Sequence, residues 1–167
     1  MFKDGSASSF SSIWIPGKSD NGLATNGISV FETKLYVPKS EILTAGGNAF
    51  AQPRYVHSGR SKLHAENFNI SSDKSSMYFS LDNTDGSETS RHITTDAWHT
   101  LRLEFYNYST AEENPIIKVY IDNLYAGYMI TTAVKDASGF MWSGLSYSKY
   151  TIYFDDMSYT EKAMPTE

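Results

Sequence analysis

The sequence lacks several features that would point to particular classes of protein. It contains no cysteine, so disulfides, thiolate catalysis and cysteine-based zinc sites are excluded. Its 14 Lys and Arg residues are scattered singly in a chain of formal net charge −5, and this leaves no basic stripe to neutralise the phosphates of a nucleic acid. No apolar run approaches the ~18 residues of a membrane span, so we expect no membrane insertion.

A signal peptide is also missing from the N-terminal stretch. Met1–Gly5 leads directly into Ser-rich sequence, without the apolar segment that a secretory signal needs. We therefore expect either a domain excised from a longer chain or a virion protein, rather than a cytosolic enzyme. The expected location is extracellular, at the cell surface or in a virion, and the domain is expected to work as part of a larger chain or assembly.

Aromatic residues, in contrast, are abundant, with 12 Tyr, 9 Phe and 3 Trp in 167 residues. Many aromatic side chains and few strong helix formers favour an all-β chain. The length suits one domain over residues 1–167, and a domain of this size removes roughly 70% of its unfolded surface from water. We expect residues 161–167 to form a flexible tail.

Alternation of apolar and polar residues is clearest between Asp96 and Thr131. The predicted core positions are Leu101, Leu103, Phe105, Ile117, Val119 and Ile121. This period of two is typical of half-buried antiparallel strands. Asp122-Asn123 predicts a tight turn into a third strand, Leu124–Thr131.

Shorter segments with the same alternation follow one another along the rest of the chain. They predict strands at Phe10–Ile15, Ile28–Val37, Tyr55–His57, Ser76–Leu81, Glu88–Ile93, Phe140–Tyr147 and Tyr150–Thr160. The segment Ser61–Ile70 is ambiguous, and the Gly-rich Ala45–Ala51 is expected to be mobile. Many short strands and frequent turns predict an all-β fold, a two-sheet antiparallel β-sandwich or jelly roll.

Three segments, in this order, carry a family resemblance. They are VFETKL at Val30–Leu35, the pair WHTLRLEF at Trp98–Phe105 and VYIDN at Val119–Asn123, and IYFDDM at Ile152–Met157. They resemble strand motifs of the concanavalin A-like lectin/glucanase superfamily, in its laminin-G-like branch. The resemblance implies a curved jelly roll whose concave sheet often binds glycans.

The polar face of the segment Asp96–Thr131 supplies residue types that bind sugars. Sugar sites combine flat aromatic rings with planar polar groups that hydrogen-bond hydroxyls. On a concave sheet that binds glycan, the predicted ligand-binding residues are Arg102, Glu104, Tyr106, Lys118, Tyr120 and Trp142. The alternative is that the charged members only form cross-strand ion pairs on a solvated face. We expect Trp98, which stands at the start of a strand, to lie in the core.

Catalytic motifs of this superfamily are missing. Its glucanases carry the pattern E-x-D-x-x-E, which does not occur here, and the strand motifs of its lyases are not found either. We therefore predict a non-catalytic module, not an enzyme, that recognises a glycan or a surface protein. The first alternative is a structural decoration or assembly domain of a virion or cell-surface protein without a glycan ligand. The second is a glycan-active hydrolase or lyase.

The resemblance also implies an optional calcium site, because family members often hold a structural Ca²⁺ near the sandwich edge. Asp155 and Asp156 are neighbours on one predicted strand, so their side chains should point to opposite faces. If the first and last strands pair, Glu32 comes near this segment. The predicted metal ligands are Asp155 and Glu32, and no other cofactor is expected to be required.

Overall fold

The computed structural model describes residues 2–4, 12–16, 27–40, 49–57, 60–63, 68–70, 75–79, 92–106, 116–130, 137–144 and 150–163. These residues form thirteen strands. The strands are β1 Phe2–Asp4, β2 Ser12–Pro16, β3 Gly27–Tyr36, β4 Ala49–His57, β5 Arg60–Leu63, β6 Phe68–Ile70, β7 Ser76–Phe79, β8 His92–Thr94, β9 Trp98–Tyr106, β10 Ile116–Ile121, β11 Leu124–Ile130, β12 Ala137–Gly144 and β13 Tyr150–Ala163.

The strands build two antiparallel sheets. The six-stranded sheet has the order β1-β13-β3-β9-β10-β11. The seven-stranded sheet has the order β2-β12-β4-β6-β7-β8, with β5 paired to β4. The all-β, jelly-roll fold class that the sequence predicts is therefore confirmed. Within the described ranges, no helix has the length and apolar character that crossing a bilayer would require.

One face of the six-stranded sheet is a continuous apolar core. Its buried side chains include Phe31, Leu35, Leu101, Leu103, Phe105, Ile117, Val119, Ile121 and Ile152. On β9 and β10 these residues recur at every second position, and on β3 the buried Thr33 lies between Phe31 and Leu35. The strand register places the residues of these three strands opposite one another. The period-two prediction for the segment Asp96–Thr131 is confirmed, because each strand buries the apolar set and turns the polar set to the other face.

The turn between β10 and β11 forms where Asp122-Asn123 predicts it. Both residues have positive φ, 51° and 64°, as a two-residue type I′ hairpin turn requires. The Asp122 N–H donates to the Thr100 carbonyl at 2.8 Å, and its Oδ1 accepts the Thr100 N–H at 2.9 Å. Its Oδ2 lies 2.7 Å from His99 Nδ1. The aspartate thereby ties the hairpin turn to β9.

Several strand limits differ from the predictions. Strand β4 begins at Ala49, inside the Gly-rich segment that was expected to be mobile, and β1 lies in a lead for which no strand is predicted. Strand β13 continues to Ala163, so residues 161–163 pair with β3 rather than starting the predicted tail. In each case the limit of the strand is set by its pairing with a neighbouring strand, and the local amino-acid composition does not reveal this pairing.

A bulge interrupts β13 where it passes β3. Asp155 lies opposite Lys34 and Ser158 opposite Glu32, so Asp156 and Met157 together lie opposite the single residue Thr33, and β13 has one extra residue. Asp156 has a φ of 49°, and its N–H donates to Asp155 Oδ1 at 2.9 Å. The bulge ends the strict alternation of faces along β13.

Candidate functional site

The face of the six-stranded sheet opposite the apolar core carries the polar and aromatic side chains, and we call it the outer face. Its members on the four central strands include Glu32, Lys34 and Tyr36 on β3, Trp98, Thr100, Arg102, Glu104 and Tyr106 on β9, Lys118 and Tyr120 on β10, and Tyr153 and Asp155 on β13. Because opposite residues of paired strands share a face, these side chains form rows across the sheet.

Arg102 lies in the middle row of the outer face. It is opposite Glu32 on one neighbouring strand and opposite Tyr120 on the other. Its Cζ atom is 4.1 Å from the centroid of the Tyr120 ring, which in turn lies 5.5 Å from the ring of Tyr125. A cation held over an aromatic ring at this distance is attracted to the ring face. The stacking therefore limits the freedom of the guanidinium before any ligand arrives.

Glu104 is buried although it lies on the outer face, with an exposed fraction of 8%. Its Oε2 accepts a hydrogen bond from the Tyr106 hydroxyl at 3.1 Å. Its Oε1 is 3.4 Å from Arg102 Nε, which is close enough for an ion pair but lacks the geometry of a hydrogen bond. Within the described residues the buried Nε–H of Arg102 thus has no hydrogen-bond acceptor. A buried donor without an acceptor costs free energy and calls for an explanation.

A second cation and ring lie next to this centre. Lys118 Nζ is 4.4 Å from the centroid of the Tyr106 ring, and Lys118 is opposite Glu104 in the register. Burial raises the pKa of the Tyr120 phenol, and the negative charge of Glu104 raises it further. Tyr120 therefore stays a neutral hydrogen-bond donor over the physiological pH range.

The structure brings together five of the six predicted ligand-binding residues. Arg102, Glu104, Tyr106, Lys118 and Tyr120 share the outer face on two adjacent strands. The sixth, Trp142, belongs to β12 of the seven-stranded sheet, where it is opposite Ile13 and Pro53. Its predicted place on the same sheet is wrong, because the chain passes to the other sheet after β11.

The alternative interpretation, in which the charged residues of the outer face only form cross-strand ion pairs in solvent, does not account for all of their contacts. The Arg102–Glu104 pair joins residues two apart on one strand, so it is not a cross-strand pair. The burial of Glu104 shows that this part of the face is not a freely solvated surface.

The predicted metal ligands are separated by the bulge. Asp155 lies opposite Lys34, whereas Glu32 lies opposite Ser158 and Arg102. Asp156 forms an ion pair with Lys34, and this contact raises the pKa of the lysine. In the part of the chain that the structure describes, no three His, Asp or Glu side chains are grouped to hold an ion. The calcium site at Asp155 and Glu32 stays a prediction.

At one end of the outer face, three aromatic residues lie directly opposite one another on β13, β3 and β9. They are Tyr153, Tyr36 and Trp98, and we call them the aromatic row. The Tyr36 ring is 5.4 Å from the Trp98 ring and 6.0 Å from the Tyr153 ring. Trp98 is 51% exposed and Tyr153 38%, so the expectation that Trp98 lies in the core is wrong.

The solved structures that are similar to this chain include polysaccharide lyases and a carbohydrate recognition domain. An endo-β-1,4-glucuronan lyase from the fungus Trichoderma reesei has a TM-score of 0.54 and 10% identity, and the match covers 98% of this chain and 79% of that chain. Alginate lyase AlyC3 has a TM-score of 0.53 and 5% identity, with 91% and 70% covered. The carbohydrate recognition domain of Emp46p, as its Y-to-F mutant, has a TM-score of 0.48 and 15% identity, with 90% and 77% covered. No protein-family model and no curated protein matches the sequence.

These matches confirm the concanavalin A-like jelly roll at the level of fold, while the laminin-G-like branch stays a prediction. They also correct the expectation that the chain is not an enzyme. That expectation rested on missing catalytic motifs and is wrong, because glycan lyases share this fold at 5% and 10% identity. At such identities the absence of a motif does not separate an enzyme from a binding domain.

Proposed function

We propose that the outer face of the six-stranded sheet binds an acidic polysaccharide, with Arg102 as the contact for a uronate carboxylate. One observation carries the proposal. The Arg102 Nε–H is buried and has no acceptor among the described residues, while the guanidinium is already positioned over Tyr120. The Arg102 side chain as a whole is 26% exposed, so a carboxylate supplied by a ligand would pair with the accessible part of this guanidinium.

The chemistry around Arg102 suits such a ligand. A guanidinium matches a carboxylate in charge and in its planar, forked geometry. Lys118 adds a second positive charge one row away, and the neutral Tyr120 phenol supplies a donor for a sugar hydroxyl. The rings of Tyr106 and Tyr120 supply the flat apolar surface on which sugar rings pack.

The fold supports the same class of ligand. The similar lyases with TM-scores above 0.5 include glucuronan and alginate lyases, and these polymers are built from sugars that carry carboxylates. Neighbouring folds alone do not assign a ligand. They guide the choice of polysaccharides for the test, and the Arg102 geometry guides the choice of variant.

The test is calorimetric titration of the protein with glucuronan and alginate oligosaccharides and with a neutral glucan. We expect binding to the acidic oligosaccharides that weakens as salt is added. Arg102→Gln should weaken this binding by tenfold or more, because a hydrogen bond to a charged group contributes about 1.5–3 kcal/mol.

Lys62→Gln is the matched control for this substitution. It removes one positive charge from β5 of the seven-stranded sheet, where Lys62 is opposite Tyr55, and binding should stay within twofold of wild type. Wild-type protein that binds none of the acidic oligosaccharides would overturn the proposal and favour a structural role. Equal weakening by both substitutions would also contradict it, since only net charge would then matter.

A second candidate function is β-elimination on the same ligand. In this reaction a base removes the proton next to the uronate carboxylate, a carbon–carbon double bond forms, and the bond to the leaving sugar oxygen breaks as that oxygen takes a proton. Arg102 is suited to neutralise the carboxylate and the neutral Tyr120 phenol to protonate the leaving oxygen. The Tyr106 hydroxyl donates to Glu104 Oε2 at 3.1 Å, so it is suited to take the proton from the sugar while it passes its own proton to that carboxylate. Ultraviolet absorbance of the unsaturated sugar in the same mixtures distinguishes this reaction from binding alone.

A further inference from the structure

The aromatic row is held rigidly but is left open. The Tyr36 hydroxyl lies 3.5 Å from Asp96 Oδ1, and the same oxygen accepts the Lys39 N–H at 2.9 Å. The Asp96 N–H donates to the Val37 carbonyl at 2.9 Å. These bonds fasten the turn that precedes β9 to the end of β3, and so they fix the backbone from which Trp98 projects.

The row exposes large aromatic side chains next to one another, with Trp98 at 51% and Tyr153 at 38%. Large apolar side chains that are half exposed and contiguous mark binding surfaces in soluble proteins. Here the exposed rings of Trp98 and Tyr153 flank Tyr36 across three paired strands. The Tyr36 ring is tilted by 45° from the Trp98 ring and meets the Tyr153 ring edge-on at 66°, so the three rings are spread along the sheet end rather than stacked on one another.

The row also lies in line with the proposed site. Trp98 and Arg102 are four residues apart on β9 and share the outer face, with Thr100 between them. At the rise of a β-strand this separation is about 13 Å. A single sugar that occupies the Arg102 centre cannot reach the row, whereas an oligosaccharide extended along β9 covers both.

We infer that the aromatic row is a separate sugar-stacking subsite, which makes the outer face select extended acidic oligosaccharides over short ones. The inference rests on the proposed function of the Arg102 centre. In this arrangement Arg102 contacts a uronate carboxylate, and the carbon–hydrogen face of a sugar ring further along the chain packs on Trp98. Aromatic rings favour that face of a sugar because it is apolar.

The test is a calorimetric series with uronate oligosaccharides from one sugar to six, on wild type and on Trp98→Ala. Wild-type affinity should rise in a step at the length that first spans both positions. Trp98→Ala should remove this step and weaken binding of the longest oligosaccharide by about fivefold, the scale of one lost aromatic contact. Binding of the shortest ligands should not change.

Two control variants establish whether the Trp98 ring itself produces the step. Leu124→Ala removes an exposed apolar side chain at the β10–β11 turn and should leave the length profile intact. Trp98→Phe keeps a ring and should retain most of the step. Thermal unfolding of each variant checks that the fold is preserved.

The possible outcomes are distinct. A wild type that binds long oligosaccharides without a step, or a Trp98→Ala variant that loses affinity equally at every length, overturns the subsite and leaves the Arg102 proposal standing. A Trp98→Ala variant that changes only a monomer–dimer equilibrium also overturns it, because the row then packs against a second copy. A wild type that binds no uronate oligosaccharide of any length overturns both.

Discussion

Tyr159 shows how a single polar group is accommodated on the core side of the six-stranded sheet. It is opposite Phe31 in the register, and its hydroxyl lies 2.9 Å from Glu161 Oε1 and 3.2 Å from Ser29 Oγ. Burial is the main cause that raises the pKa of this phenol, and the hydrogen bond to Glu161 raises it further, whereas Ser29 opposes the shift. The folded protein therefore favours the neutral form strongly.

The first prediction concerns Tyr159→Phe. The raised pKa of folded Tyr159 means that its contribution to stability is complete below the pKa of an unfolded tyrosine, about 10. This contribution is lost as pH rises through and above that value. We expect Tyr159→Phe to cost about 1 kcal/mol at pH 8, and the difference from wild type should shrink at more alkaline pH.

Urea unfolding of both proteins at several pH values measures this difference. The matched control is Tyr153→Phe, which removes an exposed hydroxyl from the outer face and should change the unfolding free energy by less than about 0.5 kcal/mol. A difference between wild type and Tyr159→Phe that stays constant or grows with pH would contradict the assignment.

Trp98 shows what residue-by-residue interpretation of the sequence missed. A large aromatic at a strand start was expected in the core, yet the residue is 51% exposed. The signal that identifies its position is its spacing along β9 from other residues of the outer face. Trp98 is an even number of positions from Arg102 and Glu104, so in an extended strand it must share their face. Applied consistently, the period of two predicts the aromatic end of the outer face.

At the scale of elements, the β10–β11 hairpin is the part of the fold that local sequence specifies most completely. Its two turn residues are Asp122 and Asn123, types that tolerate positive φ better than other residues with a side chain. Asp122 also accepts the Thr100 N–H, so the turn and the neighbouring strand β9 support each other. This agreement explains why the turn and the strand that follows it could be predicted.

The hairpin gives a second prediction. Asn123→Gly should leave stability unchanged or raise it by a few tenths of a kcal/mol, since glycine adopts positive φ without steric cost. Asn123→Ala should cost about 1 kcal/mol, because the Cβ atom of alanine is disfavoured in the left-handed region that this residue occupies.

Urea unfolding of the two variants and of Leu124→Ala, an exposed neighbour expected to change little, provides the measurement. Equal stability of the glycine and alanine variants would show that the turn conformation does not limit this hairpin.

The bulge in β13 is an element that sequence patterns did not predict. Asp155 and Asp156 were expected on opposite faces of a regular strand. The extra residue instead lets Asp156 reach Lys34, the residue opposite Asp155. A bulge depends on the pairing of two distant segments, so its position cannot be derived from β13 alone.

At the scale of the whole molecule, the fold class was predictable and the assignment of strands to sheets was not. Alternation within a strand reveals its core face, and this placed Arg102, Glu104, Tyr106, Lys118 and Tyr120 together correctly. It does not reveal which strands are neighbours, and Trp142 therefore appeared close to them although its strand belongs to the other sheet. Sequence proximity fails here because the jelly roll returns the chain to the second sheet after the hairpin.

The same limit applies to enzyme activity. The prediction that the chain is not an enzyme was based on short sequence motifs, whereas the glucuronan lyase shares the fold of this chain at only 10% sequence identity. The chemistry of the outer face follows from side chains that three separate strands place side by side, including the buried Glu104 and the stacked Arg102. Cross-strand contacts of this kind appear only once the register is known.

The most direct test of the Arg102 assignment observes the Arg102 Nε–H group by nuclear magnetic resonance, with its signal identified by its loss in Arg102→Lys. Titration with a glucuronate oligosaccharide should shift this signal progressively to saturation, because a carboxylate that binds the guanidinium changes the electrostatic surroundings of this N–H group. A neutral glucan oligosaccharide of the same length should leave it in place. A signal that stays fixed while the acidic oligosaccharide binds, or that moves equally with the neutral one, would contradict the assignment of Arg102 as the carboxylate contact.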